Sequence, residues 1–146
     1  MDQREIKTAV GKDFPDIVIP LIDAAKKTID IVVFDWKWYP DQIGSAIQKF
    51  NNAIVAAYHR GKQVRVITNS RQAQLQLQEL DIPIKILSTS KIIHSKLMII
   101  DGEIAVLGSH NYTMNAFTIN FEVSVVIKDP ETLERFNEYF SNLWSL

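Results

Sequence analysis

Apolar positions along the chain follow two periods. Ile17, Val18, Leu21, Ile22 and Ala25 recur at helical spacing, and a nearly continuous apolar run from Ile29 to Trp36 follows them. The first pattern predicts a helix and the second a short buried strand. Asp41 stands where a helix cap belongs, ahead of a stripe of Ile43, Ala46, Ile47, Phe50, Ile54, Ala57 and Tyr58 that Gly61 ends. Gln63 to Thr68 reads as the next strand. Asn69 or Ser70 caps a third helix that runs to Leu80, and Asp81-Ile82-Pro83 breaks the chain before a short strand at Ile84 to Leu87.

A longer strand spans Ile92 to Ile100, and strands dominate from there to Ile127. Asp129-Pro130 then supplies a cap and a proline suited to a first helical turn, with Leu133, Phe136, Phe140, Leu143 and Trp144 as the apolar face of a last helix. This order predicts an α/β fold: a mixed, mostly parallel β-sheet with helices on both faces, in one domain over residues 1–146.

Composition narrows the chemistry. The 146 residues are 47% hydrophobic, enough for one core, and 16 Lys plus Arg against 17 Asp plus Glu leave a formal net charge of -1. Any phosphate-binding surface must therefore be local. Cysteine is absent, which removes disulfides, thiolate metal sites and cysteine nucleophiles. The start, Met1-Asp2-Gln3-Arg4-Glu5, lacks the apolar core of a signal peptide, and no apolar stretch approaches the ~20 residues of a membrane span. The expectation is a soluble chain without membrane insertion, cytoplasmic by preference, or periplasmic or secreted if a signal peptide has been removed.

The segment richest in chemistry is His94-Ser95-Lys96, then Asp101, then Gly108-Ser109 and Asn111. On a strand, His94 and Lys96 project from one face about 7 Å apart, so a nucleophile or base has a cation beside it. Asp101-Gly102 is a two-residue hairpin signal. It predicts Met98 opposite Ala105, Lys96 opposite Leu107 and His94 opposite Ser109. A turn shifted by one residue instead pairs Lys96 with Ser109 and His94 with Asn111, and the four residues converge either way. Asp101 falls at the hairpin tip, about 20 Å or more from His94, which makes its role structural.

These residues fill every specified position of HxKxxxxD followed by GSxN, a chance match rarer than roughly one in a million per starting point. The chain thus resembles the phospholipase D superfamily, in particular its small one-motif bacterial nucleases. That resemblance implies a phosphodiesterase in which His94 attacks phosphorus to form a covalent phosphohistidine. Lys96 and Asn111 would stabilise charge on the phosphoryl oxygens, and no metal or cofactor would take part. Zinc-containing one-motif relatives carry extra cysteine and histidine ligands that are missing here. Ser109 either assists at the phosphate or satisfies backbone groups where its strand ends. Glu122 matches an acidic residue that, in small family members, hydrogen-bonds and orients the catalytic histidine; the other reading is a solvated strand residue. Since the motif occurs once and the mechanism needs two histidines, a homodimer with a shared active site is implied.

Nucleic acid is the substrate favoured by that resemblance. A phospholipase or phosphatidyl transferase is the second reading, and a nucleic-acid-binding module of a larger restriction or helicase-associated enzyme the third. Phe34-Asp35-Trp36-Lys37-Trp38-Tyr39 closes a strand, where α/β proteins commonly place ligand contacts, and interleaves aromatics with a cation: Trp36, Lys37 and Trp38 read as a platform for stacked bases, or Trp36 and Trp38 as core or dimer-interface anchors. Lys91 and Arg71 are further candidate phosphate contacts. His110 and His59 read as surface residues.

Overall fold

The structure is a computed structural model that describes residues 5–146. Its elements in chain order are β1 (Glu5–Val10), a 3-10 turn (Gly11–Asp13), α1 (Phe14–Asp23), β2 (Thr28–Val33), α2 (Ala46–His59), β3 (Gln63–Thr68), α3 (Arg71–Glu79), β4 (Ile84–Lys85), β5 (Lys96–Ile100), β6 (Ile104–Gly108), α4 (Met114–Thr118), β7 (Val123–Lys128) and α5 (Pro130–Trp144). The seven strands form one sheet in the order β1-β7-β6-β5-β2-β3-β4.

The sheet is mixed, but not mostly parallel. Only β2–β3 and β3–β4 run parallel; the other neighbours are antiparallel. Parallel pairing requires a crossover, which α2 and α3 supply, whereas β5 and β6 are joined by a tight turn that can only reverse the chain.

Helices cover both faces, and strand alternation explains how. Ile29, Ile31 and Val33 of β2, Val64 and Val66 of β3, and Met98 and Ile100 of β5 point into a cluster with α1, α2, α3 and α4. Val32, Ile67, Leu97, Ile99 and Ala105 point the other way, under Leu133 and Phe140 of α5. On that second face Arg65 grips Asp30 in a fork, at 2.9 and 3.0 Å. Its guanidinium lies 4.9 Å from the Phe140 ring centroid, so the aromatic face of α5 roofs the ion pair.

Several boundaries differ from expectation for identifiable reasons. The cap of α2 is Ser45, whose hydroxyl accepts the Gln48 N–H at 3.2 Å; Asp41 lies in the preceding turns, and Ile43 is exposed instead of joining the stripe. Ser70 caps α3. Strand β1 went unpredicted because it is an edge strand with Ala9 its single buried residue, and α4 because five residues are too short to show a helical period. The hairpin forms at Asp101 and Gly102, both with positive φ (56° and 67°), closed by the Glu103 N–H on the Ile100 carbonyl at 3.0 Å. Yet Ile104, not Glu103, lies opposite Ile100, so Met98 faces Val106 and Leu97 faces Leu107. One extra residue on the β6 side thus sets a register between the two predicted ones.

Candidate active site

Apart from Asp101, the motif residues gather at the end of the sheet where β2 and β6 finish and β5 begins. Strand β5 starts only at Lys96, paired with Val33 of β2, so His94 sits on irregular chain just before it. The Lys96 ammonium donates to the His94 carbonyl at 2.8 Å and lies 3.4 Å from His94 Nδ1. Phe34, which follows β2, carries both groups: its ring centroid is 5.2 Å from the imidazole and 5.8 Å from Lys96 Nζ. His94 is exposed, and its Nε2 has no hydrogen-bond partner among the described residues.

Asn111 arrives from the other half of the motif. Its Oδ1 accepts the Asp35 N–H at 3.1 Å, while Tyr112 N donates to the Asp35 carbonyl at 3.0 Å and Lys37 N to the Tyr112 carbonyl at 2.9 Å. With its oxygen so fixed, the Asn111 Nδ2 donor has no hydrogen-bond partner among the described residues. The consecutive residues Phe34 and Asp35 therefore touch His94 and Asn111 respectively. The extension of β2 joins the two halves of the motif; the strand end at residues 34–39 stands out in the sequence for its aromatics and lysine, not as the support of His94 and Asn111.

The remaining candidates divide. The Ser109 hydroxyl accepts the Val123 N–H at 2.9 Å and donates to the Val123 carbonyl at 3.3 Å, which spends its proton on closing β6 against β7. The Glu122 carboxylate accepts from Asn120 Nδ2 at 3.1 Å and makes no hydrogen bond to His94 within the chain. Asp101 lies at the far end of β5, where its carboxylate takes the backbone N–H groups of Lys26, Lys27 and Thr28 at 2.7–3.1 Å. Partial burial opposes its charge, but these three donors together with the Lys26 cation outweigh that and hold its carboxyl below the usual range. It thereby ties the hairpin tip to the start of β2.

Trp36 and Trp38 are not a stacking platform. They are 0% and 2% exposed, and Trp36 Nε1 donates to Asn51 of α2 at 2.6 Å, so the aromatic run is core. Lys37 lies 3.4 Å from Asp35 and lines a shallow cleft with Asn111, Tyr39 and Asn120. Nor is His110 a surface residue. It is 1% exposed, stacked on Phe14 at 4.4 Å between ring centroids. Its Nε2 faces the Gly11 carbonyl at 2.8 Å and its Nδ1 the Ser124 hydroxyl at 2.7 Å. A carbonyl can only accept, so Nε2 carries the proton and Nδ1 accepts. Burial pushes its pKa down, against the pull of the Gly11 carbonyl and Glu122.

Among the described residues no group of three or more His, Asp or Glu side chains is placed to hold a metal. No described helix is long and apolar enough to cross a membrane.

The family described as "Cardiolipin synthase, PLD-like domain" matches residues 18–144. A mitochondrial cardiolipin hydrolase of Chlamydomonas reinhardtii is 30% identical over 131 residues, 86% of this chain and 55% of that protein. A probable cardiolipin synthase of Bacillus subtilis is 29% identical over 86% of this chain, but only 25% of its own length is matched. The chain thus spans about half, or less, of these curated relatives. Among solved structures, Nuc of Salmonella typhimurium, a phospholipase D family member, superposes with a TM-score of 0.80 at 26% identity, covering 97% of this chain and 95% of that one. NucT from Helicobacter pylori gives 0.78 at 23% identity, with 97% and 96% covered. The chain belongs to the phospholipase D-like superfamily.

Proposed function

We propose that this chain is a metal-independent phosphodiesterase that cleaves nucleic acid through His94, with its active site completed by a second copy. The observation that carries the reading is the exposed His94 with a free Nε2, flanked by Lys96 and, through Phe34-Asp35, by Asn111. With its proton on Nδ1, His94 attacks phosphorus through the Nε2 lone pair and the bond to the leaving oxygen breaks. That oxygen takes a proton from a second histidine; water later attacks the phosphohistidine, the P–N bond breaks to free His94, and the water's proton goes to the same second histidine. Lys96 and the Asn111 amide stabilise the non-bridging oxygens.

His110 is unsuited to be that second histidine, because both its nitrogens are engaged in the interior. His94 of a second copy is the donor that symmetry provides. Ile119, Phe121 and Val123 flank Glu122 as an exposed apolar patch, surface that a second copy would cover. In such a dimer the Glu122 carboxylate, unattached to His94 within one chain, has a route to a histidine across the interface. Nucleic acid is favoured by the resemblance to compact one-motif nucleases, and by end-to-end superposition on Nuc and NucT.

A phospholipid substrate is the second reading, favoured by the relatives named for cardiolipin. It also gains from a groove of about 730 Å³ beside Lys96, floored by Leu97 and Leu107 and walled by Phe136. The test is cleavage of plasmid DNA, single-stranded DNA and RNA in EDTA, with cardiolipin vesicles in parallel. Chelator-resistant nucleic-acid cleavage should fall roughly ten-thousandfold or more in His94→Ala. Cleavage of vesicles alone would move the assignment to lipid, and no turnover of any substrate by folded protein would end the phosphodiesterase reading.

A further inference from the structure

His94 is exposed and lies outside any strand, so its aim depends on what holds the chain around it. The residue before it, Ile93, is 6% exposed and buries its side chain in the cluster under α5. Its backbone N–H does not enter the sheet. It donates instead to the side-chain oxygen of Asn69 at 2.7 Å, across 24 residues of sequence.

Asn69 is mounted on a loop that its neighbour Ser70 anchors by hydrogen bonds. It stands between Thr68, the last residue of β3, and Ser70, the cap of α3. The Ser70 hydroxyl accepts the Ala73 N–H at 3.2 Å and donates to the Trp36 carbonyl at 2.7 Å, while its own N–H reaches Thr68 Oγ1 at 3.0 Å. Two cap-type residues thus occupy a place where a helix needs one. Ser70 satisfies the helix, and the Asn69 carboxamide is released to reach across to the next segment. On the other side of the histidine, Lys96 donates to the His94 carbonyl at 2.8 Å, and the Ser95 hydroxyl meets Tyr139 of α5 at 2.8 Å.

We infer that Asn69 is a positioning residue of the active site: its Oδ1 fixes the Ile93 N–H and so sets the aim of the His94 imidazole. The inference rests on the reading of His94 as nucleophile. An acceptor oxygen at that position is what the geometry uses, so a carboxylate should substitute for the amide and a methyl group should not.

The test measures turnover of bis(p-nitrophenyl) phosphate, with the His94 Cε1–H resonance recorded by NMR on the same full-length proteins. Asn69→Ala should lower kcat roughly tenfold to a hundredfold with KM near the wild-type value, the cost of misplacing a reacting group by about 1 Å. Its His94 resonance should broaden or split. Asn69→Asp should recover most of the loss and restore a single resonance. Unchanged kcat and an unchanged resonance in Asn69→Ala would overturn the inference, as would a rise in KM with kcat intact, which would make Asn69 a substrate contact. Should the wild type turn over no phosphodiester, the phosphodiesterase reading falls, while the resonance still decides whether Asn69 orders His94.

Discussion

Replacing Asn51 by leucine should unfold the protein far more easily than its position on a helix suggests. Asn51 is 0% exposed, on the inner face of α2 between Phe50 and Ile54. Its Oδ1 receives the indole N–H of Trp36, also 0% exposed, at 2.6 Å. Its Nδ2 donates to the Lys37 carbonyl at 3.0 Å and to Gln48 Oε1 at 3.1 Å. Leucine has nearly the same shape, so the cavity contribution is small and the cost comes from stranded partners. Gln48 Oε1 keeps the Tyr39 N–H at 2.9 Å and is not orphaned. The Trp36 donor and the Lys37 carbonyl are. The fully buried Trp36 donor should cost about 1–3 kcal/mol and the part-buried Lys37 carbonyl about 1 kcal/mol, a total of about 2–4 kcal/mol. For a chain of this size that is a fall in Tm of roughly 10 °C. Urea unfolding followed by far-UV circular dichroism should show a lower midpoint with an unchanged slope. In a Trp36→Phe background, where no indole donor is left to strand, the same substitution should cost about 1–2 kcal/mol less. A loss below about 1 kcal/mol, or no coupling between the two sites, would refute the reasoning.

Two further outcomes follow from the packing around the motif. At Gly108 a Cβ would lie 2.4 Å from Ser124 Cα and 2.5 Å from the Val123 carbonyl, so Gly108→Ala must push β6 and β7 apart. The expected cost is about 1–3 kcal/mol in thermal unfolding, with a loss of turnover as Asn111 shifts. Acid should destabilise the protein in two stages, because both shifted groups have native pKa values below their unfolded ones. The His110 contribution is present above 6.5 and lost as pH falls from there, and the Asp101 contribution is present above 3.8 and lost below it. Urea midpoints at pH 7.5 and 5.5 should therefore differ for the wild type and converge in His110→Gln, whereas equal slopes in the two proteins would show that His110 is not the group responsible.

Local pattern was enough to locate most elements and to nominate the side chains proposed to act. Runs of apolar residues at helical or strand spacing mark α1, α2, β2, β3, β5 and α5, because burying one face imposes a period on the chain that folds it. The spacing of His94, Lys96, Gly108 and Asn111 could be read directly, since a hairpin brings its own two strands together whatever the rest of the molecule does. Even so, the one-residue shift at Glu103 was set by how the turn closes, which no pattern of polarity records. What packs on what is decided by distant parts of the chain. Trp36 and Trp38 entered the core because Asn51 of α2 offered the indole of Trp36 a buried acceptor and left no stacking face outside. His110 looked like a surface residue until Phe14, Gly11 and Ser124 closed around its ring. Phe34 and Asn69 became neighbours of the histidine only when β2 and the end of β3 were laid beside it. Residue identity and spacing nominate the side chains for chemistry and the elements they ride on. Which of them are held, buried or left exposed depends on contacts between segments far apart in the chain, and those exist only in the folded molecule.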